Sequence, residues 1–231
     1  MTRSGDMTPM APGGTVLSVV IGSRAYGLET EQSDVDRRGV FVTPTPLFWR
    51  LDKPPDHVEG PLPEQFSWEV ERFCVLALEG NPAALECLWS PLVELVTPVG
   101  ERLLALRRAF LSGKAERAFA GSAARQFRRL GPEDPPRPGG DVRRWKMAMH
   151  MIRLLLCAAH LAGHGEPLIE VGAHRDRLLA VRRGETPWPE VLEWRGRLLA
   201  ELDERPGSAL PGRPDRAAVE EFLIDVRRSA L

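Results

Sequence analysis

Near its start the chain carries an apolar run, TVLSVVIG, that stops at Gly22-Ser23, and a second run, DVDRRGVFV, that begins at Asp34. The first run is short and rich in β-branched residues, the pattern of a buried strand. The second reads as another strand, bounded by Pro44, with Asp34 and Asp36 at its start. Between them the chain must turn, with room for one or two turns of helix. A glycine at that corner lets the backbone approach a ligand closely. Free amides at a helix start favour phosphate, and Ser23 adds a hydroxyl. Residues two apart on a strand point to the same face, so the carboxylates of Asp34 and Asp36 are expected close together. Such a pair repels itself unless a cation lies between, and hard oxygen donors suit Mg²⁺ or Mn²⁺. With triphosphate oxygens completing the shells, the pattern points to metal-assisted phosphoryl or nucleotidyl transfer. An ordinary turn followed by a solvent-facing edge strand would use the same letters. The order and spacing after a buried strand favour the site.

Further along, residues 44 to 63 contain PTP, KPP and PLP and read as a loop. EQFSWEV can form a third strand, leading into an amphipathic helix, VERFCVLALEG, that stops at Gly80-Asn81-Pro82. A short helix, PAALECLW, follows with Pro82 at its first turn. From about Glu101 onward the period becomes helical, in ERLLALRRAFLSGKAERAFAGSAARQFRRL and in RRWKMAMHMIRLLLCAAHLAG, with a loop over residues 131 to 141 between them. Three more helices follow. The expected fold class is α+β, a small mixed sheet with flanking helices followed by a helical C-terminal bundle. The expected division is a flexible segment 1–14, an α/β domain 15–100 and a helical domain 101–231.

With 43% apolar residues, 231 residues can fill a core, and a net charge of −1 gives no bulk attraction to nucleic acid or an anionic membrane. The three cysteines sit singly in apolar runs, which suits buried thiols in a reducing compartment better than a disulfide framework or zinc site. No stretch reaches the apolar length of a membrane span, so a soluble, cytoplasmic protein is expected. Six tryptophans are scattered rather than interleaved with basic residues and are expected in the core.

GSRAYG followed by SDVDRRGVFV resembles the Gly-Ser and Asp-x-Asp signature of the DNA polymerase beta nucleotidyltransferase superfamily. More narrowly, the chain resembles the bacterial RNA repair pathway nucleotidyltransferases. The likeness continues through ERFCVLALEGNPAALECLW, FLSGKAERAFAGSAARQFRRL, KMAMHMIRLLL and AVRRGE. It implies that Gly22 and Ser23 hold the triphosphate of a nucleoside triphosphate and that Asp34 and Asp36 bind metal. It also implies a third carboxylate on the neighbouring strand. Glu64 and Glu69 are the candidates, and alignment backwards from Asn81-Pro82 favours Glu64, one methylene longer than the family's usual Asp. The implied acceptor is RNA and the implied partners are RNA ligases or other repair proteins. The reading from a different class is a non-catalytic nucleotide-binding or scaffolding subunit, which the Glu at position 64 motivates.

Lys146, His150 and Arg153 recur at four and three residues and share one helix face. That face either meets the sheet and neutralises phosphates of the nucleotide or acceptor, or is a solvated surface. Gln126, Arg128 and Arg129 form another basic group, and Arg37 and Arg38 follow the acidic pair; most of these read as ordinary salt-bridged or solvated arginines. Tyr26 is expected to close the turn, and Asn81 and Glu86 to cap and pack helices.

Overall fold

The computed structural model describes residues 14–31, 33–60, 65–131, 136–137, 140–205 and 207–231. The β-branched run forms β1 (Thr15–Ile21), buried from Val16 to Ile21 with no polar face, as a strand covered on both sides must be. It pairs antiparallel with β2 (Asp36–Phe41) on one side and with the last strand in chain order, β5 (Val93–Val96), on the other. β2 runs parallel to β4 (Gln65–Glu69), and β4 pairs antiparallel with β3 (His57–Glu59). The sheet is therefore mixed and five-stranded, in the order β3-β4-β2-β1-β5.

A single turn of helix, α1 (Gly22–Ala25), leaves the end of β1. After β4 come α2 (Val70–Leu78) and α3 (Pro82–Trp89), the latter capped by the Asn81 side chain accepting from the Ala84 amide at 3.2 Å. The corner between them is Gly80, at φ +76°, where an added Cβ would fall 2.7 Å from the Ala115 backbone. Only glycine allows this corner to touch the next helix so closely. α4 (Pro98–Ala105) follows β5, and then come α5 (Gly113–Leu130) and α6 (Val142–His164). α6 is the axis of the helical part, with every residue from Met151 to Ala159 buried. α5, α7 (Arg175–Arg183) and α8 (Trp188–Glu204) pack around it, and α9 (Arg216–Ser229) returns to α2 and α4. Buried apolar residues from Val16 to Val226 form one cluster, so sheet and helices share a core.

The α+β class and the helical second half agree with the sequence reading. Several local expectations are corrected. Asp34 does not lie on the strand: β2 starts at Asp36. The segment read as a loop over 44 to 63 holds a 3-10 turn at Thr45–Trp49 and β3, and β5 was not expected at all. Trp68, Trp145 and Trp194 are in the core, whereas Trp49 is 70% exposed. All three cysteines are buried and unpaired. Among the described residues no helix is long and apolar enough to cross a membrane.

α9 is fastened to the sheet by one buried carboxylate. Glu69 ends β4, caps α2 by accepting from the Glu71 amide at 2.8 Å, and accepts from the Thr43 amide at 3.3 Å. Both of its oxygens also meet the Arg227 guanidinium, at 2.8 and 2.9 Å, in the two-pronged geometry that suits arginine. Replacing Arg227 with leucine leaves this buried carboxylate without its counter-charge, and a loss of about 3 kcal/mol is expected. Urea denaturation should show it as a lowered midpoint with an unchanged slope.

Candidate active site

The site grows from the corner after β1. Gly22 has φ +74°, a conformation that costs a side-chain-bearing residue roughly 1–2 kcal/mol. A Cβ built there would also collide with the Asp36 carboxylate, whose Cγ would be 3.0 Å away. The carboxylate thus occupies the space that the absent side chain leaves. This is possible because β1 and β2 are adjacent and antiparallel, with Ile21 opposite Asp36. Gly22, Ser23 and Asp36 line one cavity of ≈ 230 Å³.

The opposite side of that cavity comes from α6. Lys146 and His150, one helical turn apart, both line it, together with Met149. Arg38, two residues beyond Asp36 and on the same face of β2, lines it too, as does Arg182 of α7. Arg182 donates to the Leu28 carbonyl at 3.0 Å and Arg175 to that of Gly27 at 2.8 Å, so α7 holds the loop that follows α1. In the sequence Arg38 reads as one of several ordinary arginines, and Arg182 is not singled out. Its only local signal was its place in AVRRGE.

Arg153 shares the α6 face but has a different environment. It is 1% exposed and donates to Glu86 of α3 at 2.8 Å. The other Glu86 oxygen accepts from the Tyr26 hydroxyl at 2.7 Å, and the Arg153 guanidinium carbon lies 3.8 Å from the Tyr26 ring centre. Burial raises the Tyr26 phenol well above its ordinary value, so it stays protonated and donates. Burial works against the Arg153 charge, but Glu86 and Tyr26 hold it protonated. Tyr26 closes the turn as expected, and Glu86 does more than pack a helix: it joins α1, α3 and α6. For His150, burial first and then the neighbouring Arg153 and Lys146 charges push the imidazole down to about 3. The face shared by Lys146, His150 and Arg153 therefore carries a neutral imidazole between its two cations.

The acidic half of the site is less enclosed. Asp34 is exposed and Asp36 partly buried, and neither carboxylate forms a hydrogen bond or ion pair with another described residue. Arg37, between Asp36 and Arg38, turns to the other face and binds Glu94 of β5 at 2.9 Å. Glu69 pairs in register with Phe41, five residues along β2 from Asp36, or about 17 Å at the usual strand rise. With Arg227 on both its oxygens, Glu69 is structural. Glu64, the favoured third carboxylate, lies outside the described residues. Its successor Gln65 pairs with Arg37, the successor of Asp36. Among the described residues no three His, Cys, Asp or Glu side chains gather closely enough to hold a metal.

A model of the RNA repair pathway DNA polymerase beta family matches residues 9–225. An uncharacterized protein of Bacillus subtilis (strain 168), YcgL, is 31% identical over 81 residues, which make up 34% of this chain and 31% of that protein. The matched region thus spans about a third of that relative's length. No solved structure matches the chain significantly.

His150 makes stability depend on pH in a defined direction. Its folded value, about 3, lies below the ordinary 6.5, so the unfolded chain binds the extra proton first. This contribution is fully present above 6.5 and is lost as pH falls towards 3, by up to about 1.4 kcal/mol per pH unit. Denaturant titrations of the parent and His150→Gln from pH 7 to pH 4 should give a flatter profile for the variant.

Proposed function

The chain belongs to the RNA repair pathway DNA polymerase beta family, and on that premise we propose that it is a metal-dependent nucleotidyltransferase that moves a nucleoside monophosphate from an NTP to a hydroxyl of RNA. The observation that carries this reading is the corner at Gly22, where the Asp36 carboxylate fills the space of a missing side chain beside Ser23 and opposite Lys146 and His150. Gly22 gives the triphosphate close access to the backbone, Ser23 offers a hydroxyl, and Arg38, Lys146 and Arg182 supply positive charge. The neutral His150 ring suits a hydrogen bond to a sugar or base rather than to a phosphate.

Mg²⁺ or Mn²⁺ fits the donor set, since Asp34 and Asp36 are hard oxygen donors with no cationic partner among the described residues. Such an ion would supply charge neutralisation at the phosphates. Asp34, Asp36 and Glu64 are assigned as its holders. The parallel pairing of Arg37 with Gln65, each one residue past the carboxylate in question, supports Glu64 over Glu69.

In the reaction, the acceptor hydroxyl oxygen attacks the α-phosphorus in line with the leaving group. The new phosphorus–oxygen bond forms as the bond to the bridging oxygen of the β-phosphate breaks. Pyrophosphate departs with that electron pair, and the hydroxyl proton passes to a carboxylate or to water. The chain's part is to align the acceptor and neutralise charge, and no covalent enzyme intermediate is involved.

Incubating the protein with α-³²P-labelled NTPs, Mg²⁺ or Mn²⁺ and short RNA, with DNA and the protein itself as alternative acceptors, tests the proposal. Label should enter RNA with release of pyrophosphate, and Asp36→Asn should lower the rate at least about a hundredfold, as expected for losing several kcal/mol of transition-state stabilisation. Label in protein or DNA alone would overturn the RNA acceptor. NTP binding without label in any acceptor would favour a non-catalytic subunit.

A further inference from the structure

Tyr26 and His150 line not one cavity but two. Beyond them, between α3, α5 and α6, lies a second cavity of ≈ 360 Å³, lined also by Ser122, Arg125, Gln126, Arg129 and Arg153. Its charge is one-sided. Among the described residues Glu86 is the one carboxylate in its lining, and both Glu86 oxygens are already engaged by Arg153 and Tyr26.

Arg125 and Arg129 lie four residues apart on α5, a spacing at which like charges disfavour the helix slightly. On α8 and α9 the comparable arginines have glutamates at that spacing: Arg197 with Glu193, Arg205 with Glu201 and Arg216 with Glu220. Neither Arg125 nor Arg129 forms an ion pair with a described residue, and Arg125 binds only the Ser122 hydroxyl, at 2.6 Å. A third observation is independent of that stripe. Arg153 keeps its Nε and Nη1 buried without a hydrogen-bond partner among the described residues. Buried donors of a charged group are costly to leave unmatched.

Resting on the nucleotidyltransferase reading above, we propose that this second cavity is a phosphate subsite for the acceptor, taking the backbone of a single-stranded oligonucleotide so that its terminal hydroxyl reaches past Tyr26 and His150 to the first cavity. The same phosphate chemistry could come from the NTP. The triphosphate, however, has its place at Gly22 and Ser23, beside carboxylates able to hold a metal. Among the described residues the second cavity has no free carboxylate in its lining, and its planar guanidinium forks suit metal-free phosphodiesters. Gln126 adds a neutral amide that can donate to a phosphate or sugar oxygen.

The test measures binding by the full chain. Fluorescence anisotropy would follow a short, 5′-labelled single-stranded oligoribonucleotide in EDTA at several salt concentrations, and a fluorescent NTP analogue would be titrated separately with Mg²⁺. Both arginines are exposed, so Arg125→Ala/Arg129→Ala should fold, as circular dichroism would verify. Its oligonucleotide affinity should fall roughly tenfold at low salt, and the slope of log K against log salt should shrink by about 1.4, or 0.7 per lost contact. Its NTP affinity should match the parent's, and Arg197→Ala/Arg213→Ala, which removes the same charge elsewhere, should change neither.

Three results would overturn the proposal: a parent that does not bind the oligonucleotide, an Arg125/Arg129 variant with the parent's affinity and salt slope, or a loss confined to the NTP. None of these readouts needs turnover. Failure of the transferase reading in the labelling assay would therefore remain distinguishable from failure of the subsite.

Discussion

The ion pair between Arg153 and Glu86 is buried on both sides, and the arrangement of the site depends on it. Taking two charges out of water costs several kcal/mol each, and their attraction offsets this only when the remaining polar atoms are also satisfied. Here Glu86 manages it by accepting from the Tyr26 hydroxyl as well, whereas Arg153 rests on the Tyr26 ring and still has two donor nitrogens unmatched among the described residues. An apolar trio would hold α3, α6 and the turn after α1 together without that cost. The polar arrangement adds geometry: a guanidinium, a carboxylate and a phenol at hydrogen-bond distance fix how the Gly22–Ser23 corner faces α6. Two cavities result, one on each side of Tyr26 and His150.

The division of charge between those cavities follows from secondary structure. Strand alternation puts Asp36 and Arg38 in the first cavity and sends Arg37 to Glu94 on the other face. Helical spacing on α6 puts Lys146 and His150 in the first cavity, while both His150 and Arg153 line the second. Asp36 stands opposite positive charge but is not paired with it among the described residues, an arrangement that leaves its carboxylate available to a metal. The one group that could have become a fourth cation in the first cavity, His150, is kept neutral by burial beside Arg153 and Lys146. On the proposed function, phosphate binding and hydrogen bonding to the rest of a nucleotide would thereby be separated on a single helix.

Much of the corner was legible in the sequence because its determinants are local. A β-branched run ending in Gly-Ser, followed by two aspartates at strand spacing, needs little tertiary information. Helical periodicity likewise placed Lys146, His150 and Arg153 on one face. It could not show that Arg153 is neutralised by Glu86, 67 residues away, nor that this burial also suppresses the His150 charge. The short strands β3 and β5 were missed for a related reason. Three or four residues beside prolines carry no resolvable period, and pairing with β4 and β1 decides their conformation. Glu69 and Glu64 looked similar as letters, and only the pairing of Glu69 with Arg227 and its register opposite Phe41 distinguish it.

The proposed arrangement has Asp34, Asp36 and Glu64 sharing a cation in front of the Gly22–Ser23 corner. It is tested most directly by a crystal of the protein grown with Mn²⁺ and a non-hydrolysable α,β-methylene NTP, with Mn²⁺ located by anomalous scattering. An anomalous peak is expected in direct contact with those carboxylates, with the triphosphate against Gly22 and Ser23. A triphosphate bound elsewhere, or Mn²⁺ absent from Asp34 and Asp36 while the nucleotide is present, would contradict it.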